Sequence, residues 1–299
     1  MIKLSHVTKR YGRETVLDDV SAFFRAGEIH GIIGRNGSGK TVLLKCIAGL
    51  SSVDQGVIRV GRKVIGRDVE NPPRMGAIIE TPGFLPNYSG YRNLKFLADI
   101  RGRIDGEDVC EAMERVGLDP ESRKHVSKYS LGMRQRLGIA IALTDSPELL
   151  VLDEPVNGLD PQGIIEMREL ILKLNREQGI TVLISSHILD ELSRLATHYG
   201  FIDGGRMVKE MSAGELEARC RKCMRLDVSD TRALARVLDR QKAGYRIVDD
   251  THADLYTELP VTELVLALDK ERCAVRSIKE RDESLENFYM HLIGGVRHA

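Results

Sequence analysis

The chain has no tryptophan, few aromatic residues of any kind and no excess of charge. Aromatic residues make up 5% of its 299 positions, and 44 lysines and arginines balance 44 aspartates and glutamates. A balanced charge argues against a broad electrostatic surface for nucleic acid, although it leaves room for a local basic patch. We therefore expect no nucleic-acid partner.

Long apolar runs are also absent from the sequence. The uninterrupted ones are short, such as residues 139–143 and 149–152, whereas a membrane-spanning helix needs about 20 apolar residues. Residues 1–6 lack the apolar core of a secretory signal. These absences predict a cytoplasmic protein without direct membrane insertion, which reaches a membrane only through a partner.

Cysteine is scarce, at five scattered residues. Cys220 and Cys223 form a C-x-x-C pair, which is typical of half a zinc site or of a redox pair. A zinc site needs two more ligands at a matching spacing, and the sequence has no second pair. The favoured interpretation is therefore two reduced thiols on a helix.

The first two hundred residues alternate short apolar runs with helical patterns. Such alternation predicts an α/β fold with a largely parallel sheet covered on both faces. A hairpin turning at Gly204-Gly205 follows this part of the chain. Strands are predicted at residues 29–33, 76–79, 149–153 and 181–185, and helices at 39–48, 94–101, 108–116, 132–143 and 161–177.

The remainder of the chain follows a β-α-β-β-α-β order, which is the split βαβ arrangement of ferredoxin-like domains. Ser212-Ala213-Gly214-Glu215 has the capping-box spacing that starts a helix, so we predict a domain boundary there, with the α/β domain at 1–211 and a small α+β accessory domain at 212–299. Packing or dimerisation is favoured over ligand sensing as its role, because no polar constellation stands out there. Strands are predicted at 225–228, 245–248, 254–257 and 274–278, and helices at 231–241, 261–269 and 284–293.

A glycine-rich run at residues 34–41 matches the pattern G-x-x-x-x-G-K-[ST] between a predicted strand and a predicted helix. Its glycines let the backbone curl so that N–H groups point at phosphate oxygens, next to a helix N-terminus. Lys40 is expected to reach the terminal phosphates, and the Thr41 hydroxyl is expected to ligate Mg²⁺. The predicted nucleotide-binding residues are Gly34, Arg35, Asn36, Gly37, Ser38, Gly39, Lys40, Thr41 and Val42.

Two adjacent carboxylates, Asp153 and Glu154, follow the apolar run at 149–152. Ligands of open α/β sheets bind at the carboxyl ends of the strands, where these side chains are expected to lie. Asp153 is predicted to hold the magnesium ion through water, and Glu154 to orient or deprotonate the attacking water. An acidic pair after a strand is weak by itself, but together with the phosphate loop it indicates nucleotide hydrolysis.

A third motif, Ser130-Leu131-Gly132-Met133-Arg134-Gln135-Arg136, opens the helix before the Asp-Glu strand. It resembles the signature motif of ATP-binding cassette (ABC) proteins, usually Leu-Ser-Gly-Gly-Gln, and Asn157-Gly158-Leu159-Asp160-Pro161 resembles their D-loop. His187 falls at the family's switch histidine, and Tyr11 falls at the aromatic residue that stacks on adenine. The resemblance covers about residues 1–210, and the guanine-reading motif Asn-Lys-x-Asp of GTPases is missing.

The resemblance implies a P-loop ATPase fold with a mostly parallel core sheet, an antiparallel β part and a helical subdomain. It also implies a head-to-tail dimer, either a homodimer or a paired cassette, that binds and hydrolyses MgATP. In such dimers each ATP lies between the phosphate loop of one subunit and the signature helix of the other. Ser130 and the Gly132 backbone are then expected to contact the γ-phosphate across the interface, with Asp160 at the dimer seam and His187 on the same phosphate. Each residue alone also fits an ordinary role: Tyr11 as a surface aromatic, His187 at a helix start and Asp160 as a helix cap.

Two departures from the family narrow the resemblance. Leu131 and Met133 replace the usual Gly and Gln of the signature, and Glu80 stands where most cassettes carry Gln in the loop near the magnesium site. Glu80 is therefore a candidate magnesium ligand. The alternative, which a single sequence leaves open, is that Glu80 is a neutral replacement of the usual Gln. The Glu-Thr-Pro-Gly-Phe loop and this signature resemble the ATPases of bacitracin and lantibiotic export systems.

That resemblance implies the energising subunit of an exporter, peripheral on the inner face of the membrane beneath a membrane-spanning permease subunit. The alternative is a soluble cassette ATPase without a transporter, as in DNA repair or translation. Repair cassettes carry long coiled-coil insertions, and translation cassettes carry two ATPase domains. Because this chain shows neither feature, the exporter is favoured.

Overall fold

A computed structural model describes residues 1–80, 83–102, 104–219, 223–257, 259–281, 288–290 and 292 of the chain. They form two compact units, Met1–Ala213 and Gly214–Ala299. Among the described residues, none of the helices combines the length and apolar character that a membrane crossing demands.

The first unit carries two sheets and six helices among its described residues. In chain order these elements are β1 (Ile2–Tyr11), β2 (Glu14–Phe24), β3 (Ile29–Ile33), α1 (Lys40–Ile47), β4 (Gln55–Val60), β5 (Lys63–Val64), β6 (Met75–Ile78), α2 (Gly90–Arg101), α3 (Gly106–Arg115), a 3-10 turn (Val126–Lys128), α4 (Leu131–Leu143), β7 (Leu149–Asp153), α5 (Pro161–Gln178), β8 (Thr181–Ser186), α6 (Leu189–Ser193), β9 (His198–Asp203) and β10 (Arg206–Ser212).

The central sheet has six strands in the order β10-β9-β3-β8-β7-β6. All neighbouring pairs are parallel except the edge pair of β9 and β10. Every residue of β3 and β8 is buried, which explains their continuous apolar character. The predicted largely parallel sheet is confirmed. Its strand order brings the carboxyl ends of β3, β7 and β8 together at one edge.

A second sheet, antiparallel and in the order β2-β1-β4-β5, is the antiparallel part that the resemblance predicted, although its individual strands were not located from the sequence. Register shifts interrupt the pairing of β1 with β2 at three places, so the alternation of buried and exposed residues in β1 is irregular. Its apolar residues share one core with α1 and the central sheet. Leu43 and Leu44 of α1 are fully buried in this core, and each contributes roughly 1.5–3 kcal/mol relative to exposure.

Helices α2, α3 and α4 pack against one another, and α4 also lies against β6. A Cβ atom at Gly76 of β6 would lie 2.3 Å from the Ala142 carbonyl oxygen of α4, so only glycine permits this close approach. Helix α2 begins at Gly90, four residues before the predicted start, because the Ser89 hydroxyl caps it by accepting from the Arg92 N–H.

The second unit contains a four-stranded antiparallel sheet in the order β12-β13-β11-β14. With its two crossover helices this is the ferredoxin-like split βαβ topology, as the order of elements predicted. A further helix, α7 (Ala213–Arg219), begins at the boundary between the units. The other elements are β11 (Cys223–Val228), α8 (Thr231–Arg240), β12 (Tyr245–Ile247), β13 (His252–Leu255), α9 (Val261–Lys270) and β14 (Val275–Arg281).

Two predictions in this unit need correction. Cys223 lies in strand β11 and not on a helix, while Cys220 lies outside the described residues. The strand predicted at 254–257 runs instead from His252 to Leu255. Asp254 is buried in this strand, and its carboxylate accepts from Arg225 Nε at 2.7 Å and Arg246 Nη2 at 3.1 Å. Most of the helix predicted at 284–293 also lies outside the described residues.

Candidate functional site

The glycine-rich loop joins the end of β3 to the start of α1, as its motif requires. Gly37 and Gly39 have φ angles of +80° and +105°, in a region that favours glycine. A Cβ atom at Gly34 would lie 2.3 Å from Ser38 Oγ and 2.5 Å from the Ile202 carbonyl oxygen. The loop therefore curls too tightly for side chains at these positions.

This loop leaves polar groups unsatisfied around its concave side. Ser38 Oγ is buried and has no hydrogen-bond partner. Helix α1 begins after Gly39 without any side-chain cap, so its first N–H groups lack intrahelical acceptors. Unpaired donors at a helix N-terminus form a site for an anion such as a phosphate group.

Lys40 is buried within the loop, with 6% of its surface exposed. Its ammonium donates to the carbonyl oxygens of Gly34 at 2.7 Å and Arg35 at 3.2 Å, and lies 3.3 Å from Glu154 Oε1. A buried ammonium held over a curled loop is placed to meet the charge of a bound phosphate. Of the neighbouring predicted residues, Asn36 is exposed and Val42 packs against the core.

Asp153, at the end of β7, is held from both sides by hydroxyl groups. Thr41 Oγ1 donates to Asp153 Oδ2 at 2.7 Å, and Ser185 Oγ donates to Asp153 Oδ1 at 2.5 Å. The hydroxyl and carboxylate oxygens form the kind of donor set that Mg²⁺ prefers. Sequence reasoning missed Ser185, although the parallel register that pairs it with Asp153 identifies it.

Glu154 lies between an imidazole and an ammonium group. Its Oε2 is 2.7 Å from His187 Nδ1, and its Oε1 is 3.3 Å from Lys40 Nζ. Its backbone N–H donates to Ser185 Oγ at 3.0 Å, and its φ of +49° places a non-glycine residue in the left-handed region. Such strain costs about 1–3 kcal/mol and collects at functional sites. The geometry thus fixes this carboxylate at the strand end.

A second carboxyl group, Glu191 of α6, lies near this pair and was missed by the sequence analysis. Its Oε2 is buried and has no hydrogen-bond partner. Burial raises the pKa of Glu191; the His187 charge lowers it, the Glu154 charge raises it, and a hydrogen bond with Ser186 lowers it. No sequence motif marks this residue, because its proximity arises only when α6 folds back after β8.

Glu80 follows β6 and has a φ of +66°. Its Oε1 accepts a hydrogen bond from Lys45 Nζ of α1 at 2.6 Å, and its side chain is 66% exposed. That hydrogen bond is the main cause that raises the pKa of Lys45, with smaller contributions that include the charge of Asp153. Lys45 therefore links the Glu80 loop electrostatically to the Asp153 site, and a metal-binding role for Glu80 stays a prediction.

Tyr11 lies at the end of β1 with 49% of its surface exposed. Its hydroxyl is 3.3 Å from Ser51 Oγ, and Lys9 Nζ lies 5.1 Å from its ring centroid. The ring is thus held at its hydroxyl end while much of its surface stays accessible, as stacking on a flat base requires.

The signature residues and Asp160 form a separate cluster at the starts of α4 and α5. Ser130 caps α4 by accepting from the Met133 N–H at 3.2 Å, and Asp160 caps α5 by accepting from the Gly163 N–H at 3.0 Å. Ser130 and Asp160 therefore each cap a helix, in agreement with the ordinary structural role considered for Asp160. A cavity of about 620 Å³ lies between the two helix starts, with Gly132 and Asp160 in its lining.

The structure thus places the predicted residues in two groups. Strands β3, β7 and β8 and helix α1 carry the phosphate loop, Asp153, Glu154 and His187 at one edge of the central sheet. Helix starts α4 and α5 carry Ser130, Gly132 and Asp160. The residues of the first group supply the side chains and backbone N–H groups needed to bind a triphosphate, hold a hard cation and activate water.

A family model described as ABC transporter matches residues 17–157. The bacitracin transport ATP-binding protein BcrA of Enterococcus faecalis is 39% identical over 301 residues, covering 99% of this chain and 97% of that protein. The lantibiotic transport ATP-binding protein SrtF of Streptococcus pyogenes is 42% identical over 211 residues, covering 70% of this chain and 90% of that protein.

Solved structures share the fold of the first unit. A dimeric ATP-binding cassette in a post-hydrolysis state with ADP and Pi covers 71% of this chain and 99% of its own, at a TM-score of 0.63 and 22% identity. At this identity the likeness concerns the fold alone.

Proposed function

The chain belongs to the ABC transporter family as an ATP-hydrolysing ATP-binding protein, and from this premise we propose that it energises an exporter of bacitracin-like peptide antibiotics. The observation that carries the hydrolytic role is Glu154, fixed between His187 and Lys40 beside the phosphate loop. The observation that favours bacitracin-like substrates is the extent of the match, since the Enterococcus relative aligns over 99% of the chain, including the second unit.

In this proposal the N–H groups of the loop and the ammonium of Lys40 hold the phosphates of ATP. Thr41 and Asp153 hold Mg²⁺, which would neutralise phosphate charge during cleavage. Glu154 accepts a proton from the attacking water, and its strained backbone keeps the carboxylate aimed at one place. His187, whose Nδ1 lies within hydrogen-bonding distance of Glu154 Oε2, orients that carboxylate. In this proposal it also contacts the γ-phosphate.

We further propose that Ser130, Gly132 and Asp160 act on the ATP held by a second cassette. Their helix starts line an open cavity, and a helix N-terminus is suited to a phosphate from outside. Ser130 already caps its own helix, so the remaining lone pairs of its hydroxyl are available to a ligand. We therefore propose a head-to-tail pair, either of two copies or of two related chains, in which the phosphate loop at the start of α1 in one cassette meets the helix starts of α4 and α5 in the other.

A membrane-spanning permease subunit completes the proposed exporter, and the cassette binds it at the inner face of the membrane. The similar proteins are named as ATP-binding components of transport systems. A soluble cassette that acts in repair or translation is not favoured, because those relatives are named for transport.

The transport role is tested by deleting the gene in its host and measuring the minimum inhibitory concentrations of bacitracin and of a lantibiotic. We expect the bacitracin value to fall and to be restored by the wild-type chain but not by Glu154→Gln. Exposed Glu177, replaced by Gln, is the matched control and should restore resistance. Unchanged sensitivity to both peptides after deletion would reject the proposed substrates, while ATP hydrolysis by the purified protein would still stand.

Glu80→Gln tests the proposed metal role of the loop after β6. If Glu80 helps to hold Mg²⁺ directly or through water, the variant should need roughly tenfold more Mg²⁺ for half-maximal ATPase activity. The exposed Glu80–Lys45 pair contributes little to folding, so the melting temperature should hardly change. Glu70→Gln, at another exposed glutamate, serves as the control. An unaltered Mg²⁺ dependence would contradict the metal role and indicate that Glu80 is a neutral replacement of the usual Gln.

A further inference from the structure

A group of ionisable side chains lies at the start of β3, at the end of that strand opposite the phosphate loop. Glu28 precedes the strand, His30 is its second residue, and His198 is the first residue of the neighbouring β9. His30 and His198 are partners in the parallel register, and Glu28 is two residues before His30, so the three side chains share one face of the sheet. Within the described part of the chain, their ligand atoms form a group lying within 4.8 Å of one another.

The distances between these ligand atoms suit a small metal ion. Glu28 Oε2 lies 2.9 Å from His198 Nδ1 and 3.6 Å from His30 Nε2. Zinc binds imidazole nitrogen and carboxylate oxygen at about 2.0–2.2 Å, so tetrahedral ligands lie about 3.3–3.6 Å apart. The separation of 2.9 Å is somewhat shorter than this range, and the separation of 3.6 Å lies at its upper end. Only small side-chain movements are therefore needed to bring all three atoms onto one ion.

Glu28 Oε2 has a second feature that points to a missing partner. The atom is buried and has no hydrogen-bond partner; His198 Nδ1, its ion-pair neighbour at 2.9 Å, also lies 3.3 Å from Thr197 Oγ1. The Arg25 guanidinium is 4.0 Å from the other oxygen, Oε1. A buried carboxylate oxygen without a partner costs free energy, and a cation at this position removes the cost.

His30 is the buried member of the group, with 3% of its surface exposed. Metal binding requires the neutral imidazole. His30 Nε2 donates to the Arg25 carbonyl oxygen at 3.0 Å, so an ion at Nε2 replaces that hydrogen bond, which makes binding weaker than at a fully prepared structural site.

We propose that Glu28, His30 and His198 bind a divalent transition-metal ion of the Zn²⁺ type, with the remaining coordination position taken by water. Two imidazoles and one carboxylate suit Zn²⁺ and its neighbours, whereas Mg²⁺ prefers oxygen ligands alone. The ion joins β3 to β9, so it stabilises the sheet that carries the phosphate loop without entering the nucleotide site. This proposal does not depend on the transported substrate.

The test is a titration of the full-length, tag-free protein with Co²⁺ in the presence of excess Mg²⁺, which occupies oxygen-rich sites. We expect one equivalent of Co²⁺ to bind with the visible absorption of a tetrahedral nitrogen–oxygen site, and Zn²⁺ to displace it. Zn²⁺ should also raise the melting temperature, because a ligand that binds only the folded state stabilises it.

Two variants and one control complete the experiment. His198→Ala and Glu28→Gln should each weaken Co²⁺ binding by at least about tenfold, whereas His125→Ala, at an exposed histidine, should leave it unchanged. Glu28→Gln keeps the shape of the side chain and decides the question if His198→Ala fails to fold. The proposal is overturned if wild-type protein binds no Co²⁺ saturably, if Mg²⁺ competes it away, or if Glu28→Gln binds as tightly as wild type.

Discussion

Replacing Lys40 with alanine is expected to weaken ATP binding by about 30-fold to several thousand-fold. Removing one partner of a buried, hydrogen-bonded charge pair costs roughly 2–5 kcal/mol, and each 1.4 kcal/mol is about tenfold in affinity. Lys40 is suited to such a role because it is buried and its ammonium already lies within the loop, on the carbonyl oxygens of Gly34 and Arg35. A phosphate that enters the loop therefore meets a cation that needs little rearrangement.

The measurement is an equilibrium titration with a non-hydrolysable ATP analogue and Mg²⁺, beside thermal unfolding of each protein. Lys173→Ala, at an exposed position of α5, controls for the loss of one positive charge. Undiminished affinity in a folded Lys40→Ala protein would show that the loop at residues 34–41 does not hold the phosphates.

Replacing Glu154 with glutamine is expected to leave nucleotide binding intact and to lower turnover by about 10²–10⁴-fold. That range is the usual contribution of a general base, and an amide cannot accept the proton from water. The substitution keeps the size of the side chain, so its contacts with His187 and Lys40 change in charge more than in position. A dimer held together by uncleaved ATP should accumulate, because the reaction that separates the cassettes is blocked.

Steady-state phosphate release and size-exclusion chromatography in MgATP test these two outcomes together. Glu177→Gln should hydrolyse ATP like the wild type and show no trapped dimer. If Glu154→Gln retains full turnover, another group activates the water, and Glu191 is then the next candidate because its carboxyl group lies near His187 and Glu154 and burial raises its pKa.

The parts of the fold that sequence reasoning predicted are those whose signals are local. Continuous apolar runs located β3, β7 and β8, and Pro161 with its cap Asp160 located the start of α5. The phosphate loop was recognised because glycines at fixed spacing report a backbone conformation that no other residue adopts readily.

The parts that were missed depend on contacts between distant segments. Bulges in β1 break its alternation, so its pattern contains no period of two. Ser185 becomes part of the site only through its register with Asp153. The burial of Asp254 in strand β13 was likewise not predicted, because it depends on two arginines supplied by other strands. No window of neighbouring residues contains this information.

The position of β3 in the central sheet has a consequence for how the protein is made. Its two neighbours, β8 and β9, come roughly 150 residues later in the chain. At about 5–20 residues per second, a ribosome needs on the order of ten to thirty seconds to supply them. During that interval β3, all of whose residues are buried in the folded protein, has both hydrogen-bonding edges exposed. ATP gives little help at this stage, because the phosphate loop emerges with β3 but Asp153, Glu154 and His187 emerge only with β7 and β8. A chaperone that shields β3 should therefore raise the yield of folded protein more than added nucleotide does.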